Sequence, residues 1–295
     1  MPLRLGINPI TWSNDDMPEL GGATPLEVCL SEARAAGFEG IELGNKFPRE
    51  SARLRPVLER HGLALVSGWY SARLRERAVE EEGQAMAPHL ALLRDMGCEV
   101  MVFAETSGAV AGARGTPISR RPRLAEAEWP EFTRRLTALA DDLAAQGVRM
   151  AYHHHMGTVI ETAEEIDRLM AMTGESVGLL LDTGHLAYAG ANPVALARRH
   201  IARIVHVHCK DVRPKVLSTM RAGDRSFLDA VVEGVFTVPG DGSVDFPAVL
   251  SELKAGKYRG WLVVEAEQDP AKAHPLTYAR MGYSYLCGAA QAAGL

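Results

Sequence analysis

Ten histidines are spread along the chain, and three stand side by side in Tyr152-His153-His154-His155-Met156-Gly157. The run follows the apolar stretch Val148 to Ala151, so it completes a strand and is not a terminal tag. Imidazole and carboxylate groups recur in the same setting further on. "VGLLLDTGH" ends in Asp182 with His185 three residues later, "IARIVHVHCKD" carries His206 and His208 before Lys210 and Asp211, and "GWLVVEAEQD" reaches Glu265 and Glu267. An ionisable group at the end of a buried strand is costly unless it is paired or coordinated. Two imidazoles and two carboxylates converging on one point make a mixed nitrogen and oxygen site, suited to Mn²⁺, Co²⁺, Fe²⁺ or Zn²⁺. Cys209 should point away from His208 in an extended strand, so a cysteine-type structural zinc site is not expected. The same alternation places His153 and His155 on one face and gives His154 a packing role. His206 is read as a core histidine bonded to backbone. Taken alone, Asp182 could merely cap the turn that follows it; over four successive strands, coincidence is the weaker account.

The elements that must position these groups follow from a recurring habit. Helical stretches end in glycine and a short apolar run follows, as in "ARAAGFEGIELG" at Gly37 and "LERHGLALVSGW" at Gly62, and again at Gly97 and Gly147. Glycine is favoured just past a helix end because it takes positive φ without strain. The apolar runs do not strictly alternate, as expected of strands buried on both faces. Eight strands are predicted: Leu3–Asn8, Gly40–Leu43, Leu63–Trp69, Glu99–Ala104, Val148–His153, Val177–Asp182, Ile204–His208 and Trp261–Glu265. Helical patterns lie between them, among them Pro25–Ala36, Pro130–Gln146, Ala163–Met172, Pro193–His200 and Phe246–Lys254, with Pro275–Ala292 closing the chain. Eight strands alternating with helices predict a (β/α)8 TIM barrel, a single domain over residues 1–295. A doubly wound sheet would show a glycine-rich phosphate loop after its first strand, and "GINPITWS" is not one. Two long connections, Thr106–Glu128 and Asp211–Val244, follow the carboxyl ends of strands four and seven, where barrel active sites form. They are expected to be lids or binding loops.

Composition narrows the classes of function. Of 295 residues 47% are hydrophobic and 23% charged, an ordinary globular balance. The net charge is −5, and basic residues are not massed apart from Arg120-Arg121-Pro122-Arg123, so nucleic acid is not an expected partner. No apolar run approaches the ~20 residues that span a bilayer, and the N-terminus has no signal-peptide core. Four widely spaced cysteines make neither a metal pair nor a disulfide framework, so a reducing cytoplasm is the expected location.

Five stretches together carry a family resemblance: "GINPITWSNDDMPELGG", "YHHHMGTVIET", "LLLDTGHLAYAG", "HVHCKDVR" and "GWLVVEAEQDP". Over nearly the whole chain the sequence resembles the inosose dehydratases of myo-inositol catabolism, within the xylose isomerase-like TIM-barrel superfamily. "LLDTGH" and "HVHxKD" belong to the superfamily at large, whereas the opening stretch and the triple-histidine run are more diagnostic of the dehydratases. The resemblance implies a divalent metal, Mn²⁺ or Co²⁺, held by Asp182, His208, Glu265 and a residue of strand five. Related isomerases place glutamate there. Here the aligned residue is His153, with His155 on the same face as the alternative. A glutathione requirement is implied by the resemblance alone, and no stretch of this sequence marks a site for it.

The implied reaction is loss of water from 2-keto-myo-inositol (scyllo-inosose), a small polyol ketone, giving a trihydroxycyclohexane dione. It requires a base for the carbon acid beside the ketone, an acid for the departing hydroxyl and stabilisation of the enediolate. The acid and base candidates are His155, expected to titrate near neutrality, Lys210, Glu42 and His185; the residues leave their division open. Asn8, Trp12 and Ser13, just past strand one, are expected to contact the polyol ring or cover its apolar face. Rival readings are a sugar or polyol isomerase or epimerase on the same barrel, an apurinic-site type endonuclease, which needs more histidines and a basic face, and a non-catalytic polyol-binding barrel. Barrels of this superfamily often form homo-oligomers.

Overall fold

A computed structural model describes residues 4–295, so Leu3 of the expected first strand lies outside the described residues. The eight barrel strands are β1 (Arg4–Ile7), β2 (Gly40–Leu43), β3 (Ala64–Ala72), β4 (Val100–Glu105), β5 (Arg149–His153), β6 (Val177–Asp182), β7 (Ile204–Cys209) and, after a short ribbon of β8 (Asp211–Val212) and β9 (Phe236–Thr237), β10 (Trp261–Val264). They close in the order β1-β10-β7-β6-β5-β4-β3-β2, each parallel to its neighbours, and β1 seals the ring on β10 with Arg4 opposite Trp261. The connecting helices are α1 (Leu26–Ala36), α2 (Ser51–His61), α3 (Val79–Asp95), α4 (Trp129–Ala145), α5 (Ala163–Met172), α6 (Thr183–Ala189), α7 (Pro193–His200), α8 (Pro214–Ala222), α9 (Phe227–Val232), α10 (Phe246–Ala255) and α11 (Pro275–Ala293). Gly37 and Gly147 stop their helices at φ 112° and 85°, the left-handed turn their position in the sequence called for. Among the described residues no helix is long and apolar enough to cross a membrane.

Period-two alternation divides the strands between two cores, with irregularities in the pairing of β2 with β3 and of β6 with β7. Leu5, Ile7, Ile41, Met101, Phe103, Met150, Leu179, Leu181, Val207 and Leu262 pack with buried helix residues such as Leu30, Leu136, Leu169 and Leu250 in the layer outside the barrel. Cys209 joins that layer, on the face opposite His208, as alternation requires. The other face of the strands fills the barrel with two smaller groups, Val100, Val102, Ala151, Leu180 and Val205, and Val66, Trp261 and Val263. Space there is tight. A Cβ at Gly40 would lie 2.5 Å from Val66 Cγ2 and 2.8 Å from Trp261 Cζ3, so glycine is what lets the indole enter the barrel floor. Two residues further along the same inward face, the apolar layer gives way to ionisable groups: Gly40 to Glu42, Ala151 to His153, Leu180 to Asp182 and Val263 to Glu265, while β7 turns two histidines inward, His206 and His208.

Both long connections are built structures. Thr106–Glu128 contains two 3-10 turns and is anchored by Arg121, whose buried guanidinium donates to Thr158 O (3.0 Å) and Glu165 Oε1 (2.7 Å) and lies 3.2 Å from Glu161 Oε1. Asp211–Val244 holds the β8–β9 ribbon and helices α8 and α9, and encloses its own apolar cluster of Val212, Leu217, Phe227, Val231 and Phe236 with Met156 and Tyr188. Asp211 fastens the far end of this segment, its carboxylate accepting from the backbone of Gly240, Gly242, Ser243 and Val244 at 2.8 to 3.1 Å.

Candidate active site

The carboxyl ends of β5, β6, β7 and β10 bring His153, Asp182, His208 and Glu265 together, with one nitrogen or oxygen of each within 4.8 Å of the others. Their hydrogen bonds determine which atoms face the common centre. His153 Nδ1 donates to the carbonyl of His154 (2.6 Å), which leaves the lone pair on Nε2, 3.5 Å from Asp182 Oδ2. His208 donates from Nε2 to Glu42 Oε1 (3.1 Å), which turns Nδ1 toward Asp182 Oδ2 (3.6 Å) and Glu265 Oε2 (2.5 Å). Asp182 Oδ1 is occupied, accepting from the backbone N–H of His185 (2.7 Å) as the cap of α6. Asp182 Oδ2 is buried and has no hydrogen-bond partner, and buried His208 Nδ1 meets only the carboxylates of its own cluster, Glu265 Oε2 at 2.5 Å and Asp182 Oδ2 at 3.6 Å. Buried polar atoms are rarely left unpaired, and these two point at the same spot. Two imidazole lone pairs and two carboxylate oxygens match the donor set and reach of a borderline divalent ion.

A second layer holds these four in place. Glu42 accepts from Asn8 Nδ2 (2.7 Å), Ser67 Oγ (2.7 Å), His206 Nε2 (2.9 Å) and His208 Nε2. Burial opposes its charge, but His208 and His206 outweigh it and hold its carboxyl well below the usual range. Such a carboxylate–imidazole pair fixes the tautomer of a coordinating histidine. His154 lies beneath Asp182, its Nε2 accepting from the Asp182 backbone N–H at 3.3 Å. His206 bonds to Glu42 through its side chain, where a backbone partner was expected. Lys210 is fully buried, with Nζ 2.6 Å from Glu265 Oε1, 2.6 Å from Glu267 Oε1 and 3.1 Å from His185 Nε2. Burial alone would strip its proton; Asp182, Glu265 and Glu267 reverse that and raise its pKa. Lys210 is therefore a fixed cation among three carboxylates. Against the penalty of burial, His208 and Lys210 pull Glu265 down to about 2. Burial pushes Glu267 up to about 7, the Lys210 charge only partly offsetting it.

Above this floor lies a cavity of about 260 Å³. Asn8, Glu42, His155, His208 and Glu265 line it, together with Glu267, Trp69, Thr158 and the rim residues Asp15 and Asp16. His155 Nδ1 faces Met156 O at 2.8 Å, leaving Nε2 free. Burial, then the charges of His153 and Lys210, push His155 down to about 3, in place of the expected titration near neutrality. His185 does not line the cavity; its ring lies against that of His155, 3.9 Å between centroids and tilted by 44°, and its Nδ1 accepts from the Met156 backbone N–H (3.2 Å).

Trp12 and Ser13 do not line the cavity. The 3-10 turn Pro9–Thr11 carries the chain back over α1, so Trp12 is 1% exposed and its indole N–H donates to Glu32 Oε2 (2.6 Å). Ser13 borders a separate small recess with Lys46 and Phe47. Residue types and spacing had left Trp69, Asp15, Asp16 and Glu267 without roles. Glu267 was legible in principle, since it lies two residues past Glu265 on the same face. Trp69 carried no comparable signal.

The family described as Xylose isomerase-like TIM barrel matches residues 30–286. The Rhizopine catabolism protein MocC of Rhizobium meliloti is 61% identical over 295 residues, covering all of this chain and 90% of that protein. The Inosose dehydratase of Geobacillus thermodenitrificans is 47% identical over 291 residues, 97% of this chain and 98% of that one. Among solved structures, the IOLI protein, described with a zinc atom, superposes with a TM-score of 0.68 at 17% identity over 98% of each chain, a likeness of fold.

Proposed function

We propose, for a chain that belongs to the xylose isomerase-like TIM-barrel family and within it to the inosose dehydratases, that it is a hydro-lyase removing water from 2-keto-myo-inositol. One observation carries the reading: the buried, unpaired Asp182 Oδ2 converges with His153, His208 and Glu265 directly beneath a cavity that His155 also lines. His153 Nε2, Asp182 Oδ2, His208 Nδ1 and a Glu265 oxygen would hold the metal, proposed to be Mn²⁺ or Co²⁺. When bound, such an ion supplies Lewis-acid polarisation and stabilises negative charge developing on the ketone oxygen. His155 lies two residues past the end of β5 at the cavity wall, whereas His153 groups with Asp182, His208 and Glu265, so His153 is taken as the strand-five ligand and His155 as the neighbouring base.

The division of labour follows from access. His155 presents a free Nε2 to the cavity and takes the proton from the carbon beside the ketone. The electron pair forms the C=C bond, the β-hydroxyl departs, and a proton from the Glu267 carboxyl, held in place by Lys210, makes it water. Glu267 brings that pair to the cavity wall, because Lys210 itself is fully enclosed. Glu42 and His154 orient His208 and Asp182, and Asn8 offers its amide to a ring hydroxyl. His185 backs His155 through a close, tilted ring contact.

The test is direct. Enzyme stripped of metal and reloaded with Mn²⁺ or Co²⁺ is given 2-keto-myo-inositol, with and without glutathione, and the enol-dione absorbance is followed. Metal-dependent appearance of the dione is expected. A product with its water retained would instead make the chain an isomerase or epimerase, and tight binding without turnover a polyol-binding barrel. The 61% identity to MocC favours a second reading, a step in rhizopine catabolism, and rhizopine as competing substrate separates the two.

A further inference from the structure

We propose that Trp69 is the platform on which the ring of the substrate lies, with one ring face against the indole. The proposal rests on reading the cavity as the site of a cyclic polyol ketone. Trp69 sits near the end of β3, paired with Val102 of β4, and both line the cavity. It is 38% exposed, whereas Trp12, Trp129 and Trp261 are 1%, 3% and 9% exposed. A large aromatic surface left open at the wall of a small cavity is unusual in a chain that buries its other tryptophans.

The indole is also held rigidly. Its N–H donates to Ser71 Oγ at 2.7 Å, and its ring meets His153 and His155 edge to face, at 5.3 and 5.6 Å between centroids. Trp69 therefore stands beside both the expected strand-five ligand and the expected base. The cavity has two characters. Asp15, Asp16, Glu42, Glu265 and Glu267 give it acceptors, while Trp69, Val102, Ile10 and Ala111 give it carbon. A cyclic polyol matches that division: its hydroxyls radiate from the rim and its C–H bonds present an apolar face. Laying that face on Trp69 directs the hydroxyls to the carboxylates and holds the ring carbon that loses its proton near His155. No lysine or arginine is among the residues that line the cavity, while five carboxylates are, so an unphosphorylated ring is the ligand class that suits it.

The test uses the metal-loaded enzyme and its Trp69→Phe and Trp69→Ala variants, with 2-keto-myo-inositol as substrate and myo-inositol as unreactive ligand. Binding of either should change the tryptophan fluorescence of the wild-type enzyme and leave that of Trp69→Phe unchanged, since the remaining indoles are buried. Trp69→Ala should raise KM about tenfold with kcat altered less than about threefold, the signature of lost ring binding, and Trp69→Phe should restore most of it. Metal content, measured by elemental analysis, should be equal in all three proteins. Absence of a fluorescence change with both ligands, an unaltered KM in Trp69→Ala, or loss of metal from that variant would overturn the proposal, the last because Trp69 would then act through His153. Fluorescence change and weaker myo-inositol binding by Trp69→Ala, in an enzyme that never releases water from the substrate, would leave Trp69 in place and reject the dehydratase reading instead.

Discussion

At the scale of single residues, the site is a problem of lone pairs. His153 and His208 are each turned by a hydrogen bond at one nitrogen so that the other faces Asp182. His208→Ala should therefore abolish both metal retention and turnover while the circular dichroism spectrum stays that of the wild type. Asp182→Asn should do the same with less disturbance than alanine, since Lys210 keeps a polar neighbour. Glu42→Gln tests the layer behind: the ligand set is intact, but the ring of His208 loses its charged partner. Metal affinity should fall by roughly 10- to 100-fold, as for other outer-layer changes, read by competition with a chromogenic chelator. His154 shows what residue-level reading could not reach. Alternation expects it on the face opposite His153, in packing; its bond to the Asp182 backbone joins side chain to strand 28 residues away. Nothing local in the sequence records that contact.

At the scale of elements, strand alternation explains why the two cores and the site share the same strands. Inward positions are mostly apolar or glycine low in the barrel, His206 excepted, and ionisable at the carboxyl end. Gly40→Ala should destabilise the fold by about 1–3 kcal/mol through overpacking against Val66 and Trp261, measured as a lower denaturant midpoint with an unchanged slope. The strands and most helix ends were legible because glycine stops and apolar runs are local signals. The segment between Asp211 and Val244 reads in the sequence as one long connection, yet it folds into two helices and a ribbon around its own apolar cluster. Its helices are short, and the surface they bury belongs to Met156 and Tyr188, far away in the sequence. The turn Pro9–Thr11 likewise sent Trp12 inward, because three residues of 3-10 turn rotate the chain in a way no spacing rule anticipates.

For the molecule as a whole, stability and metal occupancy are linked. An ion that binds the folded chain alone adds about 2.7 kcal/mol at a free concentration of a hundred times its Kd, so chelation should lower the melting temperature and Mn²⁺ or Co²⁺ should restore it. The carboxylates also set a pH dependence in the metal-free protein. Glu265 is held at about 2 against an ordinary value of 4.5, so its contribution to stability is complete above 4.5 and is lost as pH falls toward 2. Chemical denaturation across that range should show it, and Glu265→Gln should flatten the slope. From the sequence alone came the barrel, the strands that carry the four metal-seeking side chains, and the family, because periodicity, glycine stops and strand-end residues are all written locally. Only the tertiary structure decided which nitrogen of each histidine faces the centre, that Lys210 is locked among three carboxylates, and that Trp69 and not Trp12 meets the cavity. Those outcomes depend on partners brought together by barrel closure, up to 166 residues apart in the case of Glu42 and His208. A hydrogen-bond direction exists only once both of its ends are in place.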